Sequence, residues 1–264
     1  MAFIVPAFIG LYATNIEPNW LRVDRATVGA GGVRVAVVAD VQTDAFGQYE
    51  REVMNAAVAE QPDLILVAGD LTQVPASRYA EVEDEAAATL GLLEAPGGVF
   101  VVSGNTDPSA TAIAEVSEAA GAVALDDSVV TVDVDGHEVR ILGLSWPNNR
   151  RRAVIDALVE FADGSSPDTI DIVVAHSPDV VFNGIDAAAI DLVVTGHTHG
   201  GQISVPFYGP IWNVTELPRE VAAGGLHEVR GVPLYVSTGI GVNRGESPKV
   251  RFGVRPSIGI LDVG

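Results

Sequence analysis

Side chains able to bind metal or move protons recur in this chain at one kind of place, directly after a short apolar run. Asp40 follows Val33–Ala39, with Gln42 two residues on, and Asp70 follows Asp63–Ala68 and a glycine. Gly104-Asn105-Thr106-Asp107 follows Gly98–Ser103, and His176 follows Ile170–Ala175. Gly196-His197-Thr198-His199-Gly200-Gly201 follows Ile190–Thr195. Singly, each residue has an ordinary explanation. An isolated Asp caps a helix or shapes a turn, Gln42 is a common type of loop residue, and a lone His is more often a hydrogen-bonded core residue than a ligand. Jointly they are harder to dismiss, because only five histidines exist in the chain and three of them lie at these positions. Carboxylates, amide oxygens and neutral imidazoles, with no thiolate, suit Mn, Fe or Zn better than Ca or Cu. A mixed N/O set with a shared Asp is the pattern of two-metal hydrolysis.

The apolar runs themselves read as buried strands, rich in Val and Ile and bounded by Gly or Asp. Between the first three lie Ala45–Gln61 and Pro75–Glu94, with helical spacing and many Ala and Glu. This β-α-β-α-β order predicts an α/β architecture with a mainly parallel section. Ligands in such sheets bind outside the carboxyl ends of the strands, which is where the polar residues fall. Val129–Val134 and Glu138–Leu144 flank Asp135-Gly136, a hairpin signal that makes the sheet mixed. Further strands are expected at Val232–Thr238 and Ser257–Val263, and helices at Arg150–Phe161 and Pro178–Ala189. No internal repeat, low-complexity tract or long linker interrupts the pattern. The simplest account is residues 1–32 as an N-terminal apolar arm and edge segment, then a single domain over 33–264.

Composition narrows the function classes. The 264 residues are 48% hydrophobic and 19% charged, with mean hydropathy +0.30. That excludes intrinsic disorder and allows a full core. Lys plus Arg is 15 against 35 Asp plus Glu, a formal charge of −20. So acidic a chain argues against general nucleic-acid binding and against adhesion to anionic lipid. With no cysteine, disulfides, thiolate nucleophiles and Cys-type zinc sites are excluded. Ala2–Ala13 is nearly all apolar but shorter than the ~20 residues of a spanning helix. It is expected to pack on the domain as a hydrophobic arm, with peripheral membrane contact as the functional alternative. Location is therefore cytoplasmic or membrane-peripheral, and oligomeric state is left open.

In order and spacing, Asp40-Val41-Gln42, Gly69-Asp70, Gly104-Asn105-Thr106-Asp107, His176 and Gly196-His197-Thr198-His199 resemble the motifs of the calcineurin-like metallophosphoesterases. The resemblance runs from about residue 33 to the C-terminus. Gly196–Pro206 and Leu234–Gly241 are similar to a bacterial phosphodiesterase branch with membrane-associated and cell-wall members. The resemblance implies a four-layer α-β-β-α sandwich with mixed sheets and two divalent metal ions, Mn first and Fe or Zn next. It assigns Asp40, Gln42, Asp70 and His199 to the first ion, and Asp70, Asn105, His176 and His197 to the second. It implies attack on phosphorus by a hydroxide bridging the ions, with Asn105, Thr106 and Asp107 at the catalytic position and a small phosphorylated substrate.

Two positions depart from the family pattern. Gln42 stands where most members have His; its amide oxygen is expected to ligate a hard ion. Thr106 stands where many members have a His that protonates the leaving group. Thr has no acid function near pH 7 and offers a hydroxyl hydrogen bond. An alkoxide leaving group benefits from a proton donor, whereas a phosphate, with a second pKa of about 6, departs without one. The expectation is a phosphodiesterase, acting best on diphosphate linkages or activated diesters. A catalytically weak metal-binding scaffold or partner-binding protein on the same fold is the alternative. His137, His227 and the Arg150-Arg151-Arg152 cluster read as surface residues, and Trp146, Tyr208 and Trp212 as packing or pocket lining.

Overall fold

Val35 and Val37 turn to one side of their strand, Ala36 and Val38 to the other, and all four are fully buried. A strand covered on both faces needs apolar side chains throughout, which is why the sequence there is a continuous run and not an alternation. The computed structural model describes residues 4–147, 152–245 and 247–264, with side chains from Phe8 onward. The predicted roles of Arg150 and Arg151 lie outside the described residues.

In chain order the elements are α1 (Ile4–Leu11), β1 (Arg22–Val28), β2 (Val33–Val38), α2 (Gln48–Ala59), β3 (Leu64–Ala68), α3 (Glu83–Leu90) and β4 (Val99–Val102). They continue with α4 (Ala110–Ala119), β5 (Val123–Ala124), β6 (Ser128–Val134), β7 (His137–Leu144), α5 (Arg152–Asp163) and β8 (Thr169–Ala175). Last come β9 (Leu192–Thr195), β10 (Ser204–Val205), β11 (Gly209–Pro210), α6 (Arg219–Ala222), β12 (Gly225–Val229), β13 (Val232–Val236) and β14 (Ser257–Val263). One sheet has the order β1-β14-β2-β3-β4-β5, the other β12-β13-β9-β8-β7-β6. Strands β2 to β5 run parallel in the first, and β7, β8, β9 and β13 in the second. Antiparallel partners make both sheets mixed: β14 on β2, β6 on β7 and β12 on β13.

Three apolar layers hold these sheets. Val35, Leu66, Phe100, Ile141, Ile172 and Val194 pack between the sheets. Met54, Ala57, Ile65, Val67 and Ile113 pack the helices α2 to α4 on the first sheet's outer face. Leu142, Val154, Leu158, Phe161 and Val173 pack α5 on the second. The architecture is the four-layer α-β-β-α sandwich with mixed sheets. Asp135 (φ 51°) and Gly136 (φ 87°) take left-handed backbone in the β6–β7 turn, as a two-residue hairpin requires.

Several boundaries differ from expectation. The predicted helix Pro178–Ala189 is a 3₁₀ segment over Pro178–Asn183, stopped by Gly184 in the left-handed region. Pro75–Glu94 divides into a 3₁₀ turn, Ala76–Glu81, and α3. Helix α4 is additional to the expected helices; Ser109 caps it, its hydroxyl accepting from Ala112 N–H at 3.1 Å. Residues 22–28 form the edge strand β1, parallel to β14, in keeping with an edge segment there.

Candidate metal centre

The carboxyl ends of β2, β3 and β4 in one sheet meet those of β8 and β9 in the other. The chain leaves these strands through strained corners. Asp40 (φ 50°), Gln42 (φ 40°), Asp70 (φ 57°), His197 (φ 72°) and His199 (φ 49°) all have left-handed backbone, a conformation costing roughly 1–3 kcal/mol for a non-glycine residue. Such strain persists where the surroundings over-determine it, and it clusters at functional sites. Glycines clear the space: a Cβ on Gly196 would fall 2.6 Å from Asp40 Oδ2, and one on Gly239 2.5 Å from Asp40 Cβ.

Asp40, Gln42, Asp70, His176 and His199 are buried. One ligand atom each from Asp40, Asp70 and His176 lie within 4.8 Å of one another. His176 Nδ1 is 2.9 Å from Ala68 O; a carbonyl only accepts, so Nδ1 carries the proton. Neutral His176 therefore presents a lone pair at Nε2. Facing it are Asn105 Oδ1 at 2.8 Å, His197 Nδ1 at 3.1 Å and an Asp70 oxygen at 3.4 Å. Lone pairs converge here with few protons among them. Nearby, Gln42 Nε2 donates to Asp70 Oδ2, while Gln42 Oε1 and His199 Nε2 are buried without partners. His199 Nε2 lies 3.6 Å from Asp40 Oδ1. Two buried carboxylates with an unpartnered amide oxygen and an unpartnered imidazole nitrogen beside them fit divalent cations.

The electrostatics carry the same message. Burial lifts the Asp40 carboxyl to about 7, with Asp70 adding to the effect and His176 opposing it. Burial works against a charged His176, yet Asp70 and Asp40 overcome it and raise its pKa to about 9. Asp70 is held well below the usual carboxylate range despite burial, by His176 and by hydrogen bonds from Thr106 N–H and Gln42. Burial and His176 push His197 down to about 3. The protein thus places a proton on His176 where a cation would otherwise neutralise the acids.

The three residues expected at the catalytic position divide. Asn105 is exposed at the mouth, with Oδ1 on His176. Thr106 N–H donates to Asp70 Oδ1 at 2.8 Å, but its hydroxyl donates to Thr72 O at 2.7 Å and is committed to backbone. The Asp107 carboxylate accepts from the amides of Asp70 (3.0 Å), Gly104 (2.8 Å) and Thr72 (3.1 Å). It fastens the β3 and β4 corners together, a positioning role.

Arg251 is a site residue that no sequence motif marks. Its guanidinium is fully buried, donating to the carbonyls of Gly241 (2.9 Å from Nε), Thr238 (2.8 Å) and Gly239 (3.1 Å). Arg251 Nη2 lies 3.3 Å from His199 Nδ1. Burial and Arg251 together hold His199 well below its ordinary pKa. No motif signals this residue; only the close of β13 onto the site does. Trp146 lies over the histidines, its ring 5.5 Å from His197 and edge-on to His176 at 5.8 Å. His137 is exposed, and half-buried His227 bonds Gly224 O at 3.1 Å, both away from the centre.

Residues 33–201 match the family model described as Calcineurin-like phosphoesterase. The chain belongs to this family and is a phosphoric ester hydrolase whose centre binds divalent metal. It is 26% identical over 263 residues to "Uncharacterized metallophosphoesterase YkuE" of Bacillus subtilis (strain 168), covering 95% of this chain and 88% of that one. It is 25% identical over 267 residues to "Phosphodiesterase YaeI" of Escherichia coli (strain K12), covering 96% and 92%. Among solved structures, Haemophilus influenzae NAD nucleotidase (NadN) superposes with TM-score 0.51 at 14% identity, over 77% of this chain and 44% of that one. That likeness concerns the fold alone. No helix among the described residues is long and apolar enough to cross a membrane.

Proposed function

We propose that this chain hydrolyses phosphodiester or diphosphate linkages with two divalent ions, manganese foremost. The observation that carries the reading is the His176 lone pair facing Asn105 Oδ1 and Asp70, a cluster that only a cation or an added proton can stabilise. Asp40, Gln42, Asp70 and His199 would hold one ion, and Asp70, Asn105, His176 and His197 the other. Bound there, such ions lower the pKa of water and neutralise phosphoryl charge. The chain's own residues set the geometry. Asp107 fixes the corner that carries Asp70, and the Thr106 amide orients the Asp70 carboxylate. Trp146 shields the histidines from water. With its hydroxyl committed to Thr72 O, Thr106 offers the leaving group no acid, which favours groups that depart as stable anions.

The test is an assay of chelator-stripped protein supplied in turn with Mn²⁺, Fe²⁺ and Zn²⁺. The substrates are bis-p-nitrophenyl phosphate, p-nitrophenyl phosphate and a nucleoside diphosphate compound. Metal-dependent turnover of diester or diphosphate above monoester, lost in Asp70→Ala, is expected. Metal binding without turnover of any of them would replace this reading with a metal-binding scaffold.

A further inference from the structure

Two uncharged stretches meet beside the metal centre. Residues 4–16 carry no charged side chain, and neither do residues 200–215, in a chain that is 19% charged. Both expose large apolar side chains: Phe8, Ile9 and Leu11 in the first, Phe207, Tyr208 and Trp212 in the second. Phe207, at the tip between β10 and β11, is as exposed as a side chain can be.

Residues 251–253 join the two stretches. Arg251 N–H donates to Ala13 O at 2.9 Å, Gly253 N–H donates to the Glu17 carboxylate at 3.0 Å, and the Tyr12 and Phe252 rings meet edge-on at 6.2 Å. On the other side Ser204 N–H donates to Phe252 O at 2.8 Å, and Phe252 N–H to Gln202 O at 2.9 Å. The same seam reaches the centre through Arg251 and His199. Trp212 and Val214 share a cavity of about 100 Å³ with His197 and His199.

Single exposed apolar residues are ordinary on a protein surface, whereas a run of them on adjoining segments marks an interface. Two aromatic rings at this edge carry cations: Arg219 lies 4.6 Å over Tyr208, and Arg255 lies 4.1 Å over Trp20, just beyond the first stretch. Glu17, the acid at the seam, is buried. Aromatic rings with basic partners at an apolar edge are the composition of the membrane–water boundary. We infer that α1 and the 200–215 segment form one lipid-contacting face, which seats on a bilayer and turns the metal centre toward phosphoesters at headgroup depth. The lipid contact stands by itself; the choice of substrate rests on the hydrolase reading above.

Flotation of the full chain with phosphatidylcholine vesicles, with and without phosphatidylglycerol, tests the face. Binding is expected, and Phe207→Ser and Ile9→Ser should each weaken it about tenfold. Both variants should keep the circular dichroism spectrum and the turnover of soluble bis-p-nitrophenyl phosphate. Turnover of a vesicle-borne phosphodiester should fall in step with binding. Failure of the unmodified chain to float, or binding equal in both variants, overturns the inference. A concentration-dependent dimer that Phe207→Ser dissolves, without vesicle binding, assigns the face to a second copy of the chain instead. Vesicle binding without hydrolysis of any phosphoester would remove the hydrolase reading and leave the lipid face. Hydrolysis without vesicle binding would do the reverse.

Discussion

The two halves of the proposed metal centre are built differently. On the side of His176, the tautomer is set: Nδ1–H donates to Ala68 O, so Nε2 faces Asn105 and His197 and offers its lone pair once the added proton leaves. On the side of His199, the neighbour is a buried guanidinium that can only donate, 3.3 Å from Nδ1. The neutral ring then keeps its proton on Nε2, the atom that faces Asp40 and that a metal would need. Gln42 completes that half with a neutral amide already turned by its Nε2 toward Asp70. The His176 half has only to release the proton that Asp70 and Asp40 hold on Nε2; the other must move a proton between ring nitrogens against Arg251 and rotate an amide before it can ligate. A ligand atom held ready binds more tightly than one that must first be rearranged, so the halves should fill in order, His176 side first.

The largest expected effect comes from Asp70, the residue the proposed centre shares between its halves. Asp70→Ala should abolish tight binding of both ions, read by metal content after dialysis, and lower turnover by about 10³-fold or more. Retention of one tightly bound ion in that variant would break the view that Asp70 is shared. Next in size, His176→Ala and Gln42→Ala should separate the halves in a calorimetric titration with Mn²⁺. His176→Ala removes the tighter step, whereas Gln42→Ala weakens the looser one about tenfold and spares the tighter. Gln42→His sharpens the same contrast, because an imidazole in place of the amide should strengthen the looser step. If the two steps prove equal in the unmodified protein, Arg251 and Gln42 do not distinguish the halves.

Much of this centre was legible before the fold was known, and for a definite reason. Parallel strands buried on both faces read as Val- and Ile-rich runs, and their ends are marked by the first polar residue. Asp40, Asp70, Asn105, His176, His197 and His199 could therefore be placed on one edge from spacing alone. The roles of Thr106 and Asp107 were less legible. Whether a hydroxyl faces a substrate or the Thr72 carbonyl depends on a corner more than 30 residues away. Arg251 was invisible, because its environment is made by backbone carbonyls of Thr238, Gly239 and Gly241 that leave no pattern in residue types. The helix expected at Pro178–Ala189 failed for a local reason. Asn183-Gly184 ends the turn in left-handed backbone before an α-helix is established.

A subtler contrast lies in how the metal-free and metal-loaded proteins respond to alkali. Without metal, His176 has its pKa raised from the ordinary 6.5 to about 9 by Asp70 and Asp40, against the effect of burial. A histidine raised in the folded state stabilises it fully below the unfolded value and loses that contribution as pH climbs through the folded one. Asp40 and Asp107, lifted to about 7 mainly by burial, lose their remaining protons at the lower end of that climb and add only a small part of the decline. Between pH 7 and 9.5 the chelated protein should therefore lose on the order of 2 kcal/mol, or about 4 °C in melting midpoint for a chain of this size. With Mn²⁺ bound, His176 is neutral throughout and the decline should disappear. Thermal melts in the two states across that range decide the matter. A parallel decline in both would mean that the proton does not occupy the position of the ion, and that the readiness ascribed to the His176 half has another origin.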